Sequence, residues 1–116
     1  MRYKRGEIVL ILFPNSDLRT YKKRPALVVQ ADGLGTSLPQ LIVAMITSNL
    51  ARASHPSRVF VSQASPQSWR FGLISDSVIL TDNLATVLES EIDRALGVWP
   101  DMAAVDGALR HTFGLR

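Results

Sequence analysis

The sequence predicts an α+β fold that is mainly β: a small, strongly bent antiparallel sheet or barrel with a helix near its C-terminus. Three observations predict it. Short runs rich in Val and Ile fill the first two thirds of the chain, each bounded by turn residues. Two of those runs do not alternate polar with apolar, so they are expected to be buried on both faces. The last quarter changes to a helical period. With 116 residues, 47% hydrophobic and 20% charged, residues 1–116 suit one domain with a core of its own.

The elements follow in order. Ile8–Phe13 is the first apolar run and ends at Pro14-Asn15-Ser16-Asp17. Ala26–Val29 is the second, entered through Lys22-Lys23-Arg24-Pro25 and left through Asp32-Gly33-Leu34-Gly35. Leu41–Ile46 leads into Thr47-Ser48-Asn49, Val59–Val61 follows Ser54-His55-Pro56-Ser57, and Val78–Leu80 follows Ser65-Pro66. Ile8–Phe13 and Leu41–Ile46 are the two runs expected to be buried on both faces. A first helix is expected from a capping box, Thr86 with Glu89, from Leu88, Ile92 and Leu96 at every fourth position, and from Gly97 as the stop. Pro100-Asp101 opens a second helix with the stripe Met102, Val105, Leu109 and Phe113, closed by Gly114. That stripe should lie on the sheet. No repeat, linker or low-complexity segment is present.

Composition excludes several chemistries. There is no cysteine, hence no disulfide, thiol nucleophile or thiolate metal site. His55 and His111 lie far apart in sequence and lack zinc-motif spacing, and no carboxylate cluster suggests magnesium. No metal or other cofactor is expected. The basic start, Met1 to Arg5, precedes an apolar run too short for a signal core or a membrane span, so a cytoplasmic protein is expected. The net charge of +3 is unevenly placed. Arg2, Lys4, Arg5, Arg19, Lys22, Lys23 and Arg24 face only Glu7 and Asp17 in the first fifth, whereas acids dominate after residue 70. A basic end suits a polyanion; it also simply solvates loop ends.

Arg24 and Thr47 are the leading candidates for chemistry. If the second and third runs pair antiparallel, a register with Gln30 opposite Leu41 also sets Arg24 opposite Thr47. A guanidinium fork beside a hydroxyl makes an anion site, and phosphate is a common occupant. Pro25 holds Arg24 in extended backbone at a strand entrance. The alternatives are a solvated strand cap for Arg24 and a turn residue for Thr47. Lys22 and Lys23 add to the anion reading. Ser48, Asn49 and Arg52 follow Thr47 and are candidate substrate contacts. No base adjoins the hydroxyls in sequence, so a serine nucleophile is not indicated. His55 is a candidate proton carrier or phosphate contact, or merely an exposed loop residue. Asp82 is a candidate orienter of Arg24 or a base, or an Asx turn. His111 reads as structural. Trp69 and Phe71, flanking Arg70, either stack on unpaired bases or plug a barrel end, with the plug preferred; Phe13-Pro14 and Trp99 carry the same choice.

These residues resemble a known family. Arg5-Gly6-Glu7-Ile8-Val9-Leu10, Phe13-Pro14, Lys23-Arg24-Pro25-Ala26-Leu27-Val28-Val29 and Ile46-Thr47-Ser48-Asn49 are similar to the MazF/PemK toxins of bacterial toxin–antitoxin pairs. Gly72-Leu73, Asp76-Ser77-Val78, Ala108-Leu109-Arg110 and Gly114-Leu115 extend the resemblance over nearly the whole chain. It implies an SH3-like barrel with a C-terminal helix, usually a homodimer. It implies a metal-independent, sequence-specific endoribonuclease of single-stranded RNA, neutralised by a cognate acidic antitoxin. The 2′-OH would attack the phosphate and leave 2′,3′-cyclic phosphate and 5′-OH ends. The catalytic roles fall on Arg24 and Thr47, and an acidic role on Asp82. Two arginines that members of the family carry are Leu80 and Ala85 here, which keeps a non-catalytic RNA-binding module or a protein-interaction domain as the alternative.

Overall fold

Among the described residues, 2–14 and 17–116 of the computed structural model, the β-branched runs form one six-stranded antiparallel sheet. The strands are β1 (Glu7–Pro14), β2 (Tyr21–Val28), β3 (Gln40–Thr47), β4 (Arg58–Val61), β5 (Ser77–Leu88) and β6 (Ile92–Val98), followed by α1 (Met102–Phe113). Their order in the sheet is β4-β5-β3-β2-β1-β6. Asn15 and Ser16, in the first expected breaker, lie outside the described residues, as does the Pro14 side chain.

Both faces of the central strands are covered, as the unbroken apolar runs require. One face carries Val9, Ile11, Ala26, Val28, Val43, Met45, Val87 and Ile92. The other carries Ile8, Leu27, Ala44, Ile46, Ile79, Phe71, Trp99 and the helix residue Val105. Helix α1 starts at Asp101, whose carboxylate accepts from the Ala104 amide at 3.2 Å, and stops at Gly114 in the left-handed region (φ 66°). Its stripe lies on the second face through Met102, Val105 and Leu109. Phe113, at the last turn, is instead exposed, and Ala108 takes a buried place.

The first expected helix does not form. β5 runs on to Leu88, pairing Gln40↔Leu88 through Ala44↔Leu84 with β3, and Ile92–Val98 becomes an edge strand on β1. Burial decides this: Ile8, Val9 and Ile11 are fully buried, so the outer donors and acceptors of β1 are met by pairing with β6 and not by water, whereas the every-fourth-residue spacing marks no buried stripe, since Leu88 is exposed. The expected capping box of Thr86 with Glu89 does not form either: Thr86 lies within β5, paired with Ile42, and it is the Glu91 carboxylate that accepts from the Leu88 amide at 2.8 Å, closing a 3-10 turn, Glu89–Glu91.

The sheet bends but does not close by hydrogen bonds, since β4 and β6 remain edges. The loop Ser68–Gly72 fills part of the gap against β6. A methyl group on Gly97 would meet the Arg70 carbonyl oxygen at 2.2 Å, and one on Gly72 (φ +70°) would meet the Leu96 carbonyl at 2.0 Å. Phe71, 2% exposed, seals this end with its ring 5.0 Å from Trp99, so the plug reading holds for both. Trp69 is 80% exposed and plugs nothing.

Candidate functional site

The register of β2 on β3 is Ala26↔Met45, Leu27↔Ala44, Val28↔Val43. Continued by two residues, it sets Arg24 opposite Thr47. The pairing with β3 stops at Ala26, one residue after Pro25. Pro25 has no N–H to donate to a ladder, and its only strand partner is Leu10 of β1. It is not a strand entrance, as the sequence suggested, but the fifth residue of an eight-residue strand. The consequence is a mouth between β2 and β3 with Arg24 on one lip and Thr47 on the other.

Alternation sorts the neighbouring cations. Lys22 and Arg24 share the face of Ala26 and Val28, where Phe13, the partner of Lys22, packs against the core. Lys23 belongs to the opposite face and pairs with Asp93 at 3.5 Å. Arg5 pairs with Asp106 at 2.5 Å and donates to the Val29 carbonyl. Arg24 makes no side-chain hydrogen bond or ion pair among the described residues. Of the seven early cations, Lys22 and Arg24 are therefore the ones left beside the mouth with free charge.

Thr47 is oriented by its own turn. Its Oγ1 accepts from the Asn49 amide at 3.1 Å, which leaves the hydroxyl hydrogen to donate elsewhere. The Asn49 amide is thereby spent on Thr47 and is not offered to a ligand. Asn49 Oδ1 in turn accepts from the Ala51 amide at 3.2 Å and caps the 3-10 turn Leu50–Arg52. Ser48 is exposed beside it, and Arg52 is exposed at the end of the turn.

Asp82 does not reach Arg24. It lies in a bulge of β5, where the register jumps from Ala44↔Leu84 to Met45↔Leu80. Arg58 of β4 grips it: Nη2 donates to Oδ2 at 2.9 Å and Nε to Oδ1 at 3.4 Å. The Arg58 hydrogen bonds hold the Asp82 carboxyl below the usual carboxylate range, with the charges of Arg58 and His55 adding to the effect. A carboxylate so held is a poor base at neutral pH. Its pairing contributes to stability above the ordinary carboxylate pKa, and this is lost only as pH falls through the lowered value.

His55 turns toward α1. Its Nδ1 accepts from the Ser57 amide at 3.1 Å and lies 2.6 Å from Ser57 Oγ. Its ring meets His111 edge-on at 5.8 Å, so the two histidines, remote in sequence, are neighbours. Among the described residues no group of His, Asp and Glu could hold a metal ion, and no helix is long and apolar enough to cross a membrane. A cavity of about 610 Å³ lies at the other end of β2 and β3, lined by Tyr3, Lys4 and residues 30–38, far along the strands from Arg24.

Residues 4–113 match the PemK-like, MazF-like toxin family of type II toxin–antitoxin systems. The chain belongs to that family. It is 34% identical over 107 residues to the endoribonuclease MazF2 of Mycobacterium bovis, covering 90% of each chain. The same figures hold for the endoribonuclease MazF6 of Mycobacterium tuberculosis strain H37Rv. Among solved structures, the Mycobacterium tuberculosis toxin MazF-mt6 superposes with a TM-score of 0.73 at 23% identity, over 95% of this chain and 98% of that one. A MazE–MazF structure from Deinococcus radiodurans gives 0.73 at 21% identity, over 98% and 97%. An endoribonuclease in complex with its cognate antitoxin, from a mycobacterial species, gives 0.72 at 21% identity, over 98% and 97%. These superpositions establish the shared fold, a bent sheet with its C-terminal helix.

The residue that sequence reasoning missed is Arg58. Nothing local ties position 58 to position 82. The cue lies in the strand pairing, Arg58↔Leu80, which sets the guanidinium within reach of the bulge two residues on.

Proposed function

We propose that this MazF-like chain is an endoribonuclease that cuts single-stranded RNA at the mouth between Arg24 and Thr47. The observation that carries the reading is the β2–β3 register, interrupted at Pro25, which sets an unpaired guanidinium across from an oriented hydroxyl. The RNA supplies its own nucleophile. The ribose 2′-oxygen bonds to the adjacent phosphorus, and the bond from phosphorus to the 5′-oxygen breaks. One proton leaves the 2′-OH and one reaches the departing 5′-oxygen, giving 2′,3′-cyclic phosphate and 5′-hydroxyl ends. Arg24 stabilises the phosphorane charge and is suited to protonate or hydrogen-bond the leaving oxygen. Thr47 donates its hydroxyl to a non-bridging oxygen. Asp82 is engaged by Arg58, and His55 Nδ1 by Ser57, which favours water as the acceptor of the first proton. Lys22 and Phe13 flank the RNA path on the same face, with Ser48, Asn49 and Arg52 beyond Thr47. The guanidinium performs the charge work, so the scheme asks for no metal.

Thr47→Val keeps the shape and removes the hydroxyl. Cleavage by this variant is expected to slow by roughly a hundredfold, with RNA affinity nearly unchanged. Kinetics on a short single-stranded RNA, with binding followed separately, checks this. Normal cleavage by Thr47→Val together with loss of cleavage in Ser48→Ala would move the role to Ser48.

The neutralising partner is proposed to be an acidic, largely disordered antitoxin segment that folds over the same mouth, on a homodimer of this chain. Lys22 and Arg24 attract RNA and such a segment alike. Exposed Leu12, Tyr21, Val98 and Phe113 supply apolar surface for the dimer and the partner. The segment should compete with RNA, and its association rate should fall as salt rises. Binding that leaves RNA in place, or that ignores salt, would contradict a shared electrostatic site.

A further inference from the structure

Beyond the mouth itself, a continuous run of hydrogen bonds leads from Thr47 to a residue three strands from Arg24. Thr47 Oγ1 accepts from the Asn49 amide at 3.1 Å. The Asn49 carbonyl accepts from the Arg52 amide at 3.3 Å, and the Leu50 carbonyl from the Ala53 amide at 3.1 Å, which closes the 3-10 turn. The Arg52 carbonyl then accepts from Arg58 Nη1 at 3.0 Å. The far side of the same guanidinium holds both oxygens of Asp82. Arg58 thus spans the turn after Thr47 and the bulge of β5.

The foot of this run is fixed. Thr81, next to Asp82, is fully buried, and its amide donates to the Ser57 carbonyl at 3.1 Å. Its hydroxyl donates to that carbonyl as well and lies 2.8 Å from Thr112 Oγ1 of α1. The bulge therefore sits on the helix, and β4 begins beside it at Arg58. An exposed 3-10 turn has few contacts of its own, because none of Leu50–Arg52 is buried. Without a tether it would be free to change shape, and Thr47 Oγ1 would lose the amide that aims it.

We propose that Arg58 is a positioning residue for the cleavage reaction: held by Asp82, it fixes the Arg52 carbonyl and through that turn sets the direction of the Thr47 hydroxyl. The inference rests on the reading of Thr47 as a phosphate contact. It gives Asp82 a role as well, that of anchoring the arginine, in place of a base. A guanidinium is suited to this because its planar fork serves a carboxylate on one edge while a third N–H reaches a carbonyl. Its donors are then committed to protein acceptors, so its main effect should be on rate and not on RNA affinity.

The test compares Arg58→Met, Arg58→Lys and Asp82→Asn with the wild-type chain on a short single-stranded RNA under single-turnover conditions. Arg58→Met, which keeps the stem, should lower the cleavage rate roughly tenfold to a hundredfold with binding little changed, as expected of a small misplacement at a reacting centre. Arg58→Lys should recover part of that, and Asp82→Asn should show a smaller loss. The double variant Arg58→Met/Asp82→Asn should be no slower than Arg58→Met, since the two act as one unit. In the free protein, the amide resonances of Asn49, Leu50 and Ala51 should shift in Arg58→Met, while those of Val28 and Val43 stay put. An unchanged rate and unchanged turn resonances in folded Arg58→Met would overturn the proposal. So would weakened RNA binding with the rate intact, which would make Arg58 a substrate contact. If Arg58→Met does not fold, Arg58→Lys carries the same comparison. Normal cleavage by Thr47→Val in the same series would show that the reading of the site had failed, whereas slow Thr47→Val beside normal Arg58→Met would sink this inference alone.

Discussion

Arg24→Ala is expected to cripple RNA cleavage, by at least as much as Thr47→Val, while leaving the fold intact. The residue lies beyond the last β2–β3 pair and makes no side-chain hydrogen bond or ion pair among the described residues, so its removal breaks no internal contact of that kind. The loss of its contact with the phosphorane should cost roughly 3–4 kcal/mol, about a hundredfold to a thousandfold in rate. Arg24→Lys should also be poor, because an ammonium is a point charge and cannot reproduce the fork. Cleavage kinetics on variants shown by thermal melting to be folded provide the check. A folded Arg24→Ala protein that cuts at near wild-type rate would remove the centre of the account.

A large effect on stability is expected at Gly97, on the β6 side of the same close approach that Gly72 makes from the loop. An added methyl group would lie 2.2 Å from the Arg70 carbonyl oxygen and 2.4 Å from the Phe71 carbonyl carbon. Both are backbone atoms of the loop that packs on β6, so relief requires the loop to lift and Phe71 to leave its seat by Trp99. Gly97→Ala should therefore destabilise by about 3 kcal/mol or more. Gly107→Ala is the internal contrast. It lies within α1 with nothing near the added methyl, and it should stabilise by roughly 0.5–1 kcal/mol. Melting curves of the two variants should move in opposite directions. Equal melting temperatures would mean that the loop does not hold β6 in solution as it does here.

The mouth was legible in the sequence because its parts are local. Pro25 has no N–H to give, so only one of its two neighbouring ladders, the one with β1, continues past it, and antiparallel register couples two positions once one pair is known. The helix α1 was legible for the same reason: Asp101 and Gly114 are local signals for its ends. Residues 86–97 were misread because their period matched a helix while the unsatisfied edge of β1 demanded a strand, a demand no short window displays. Lys23 looked like a companion of Arg24 by sequence adjacency, yet strand alternation sends neighbours to opposite faces. Arg58, Asp82, His55 and His111 were illegible as groupings. A three-residue bulge and a helix docked on the second face bring them together, and both are products of tertiary packing.

In the proposed reaction the ribose 2′-oxygen is the nucleophile, and Arg24 and Thr47 hold the phosphorane until the 5′-oxygen leaves. The most direct measurement uses one short single-stranded RNA and its twin carrying a single 2′-deoxyribose at the mapped cleavage position, with purified protein in excess chelator. The RNA should be cut to 2′,3′-cyclic phosphate and 5′-hydroxyl ends, and the twin should stay uncut. Cleavage of the twin at the same bond, or 5′-phosphate ends that appear only when a divalent metal is restored, would contradict this reaction.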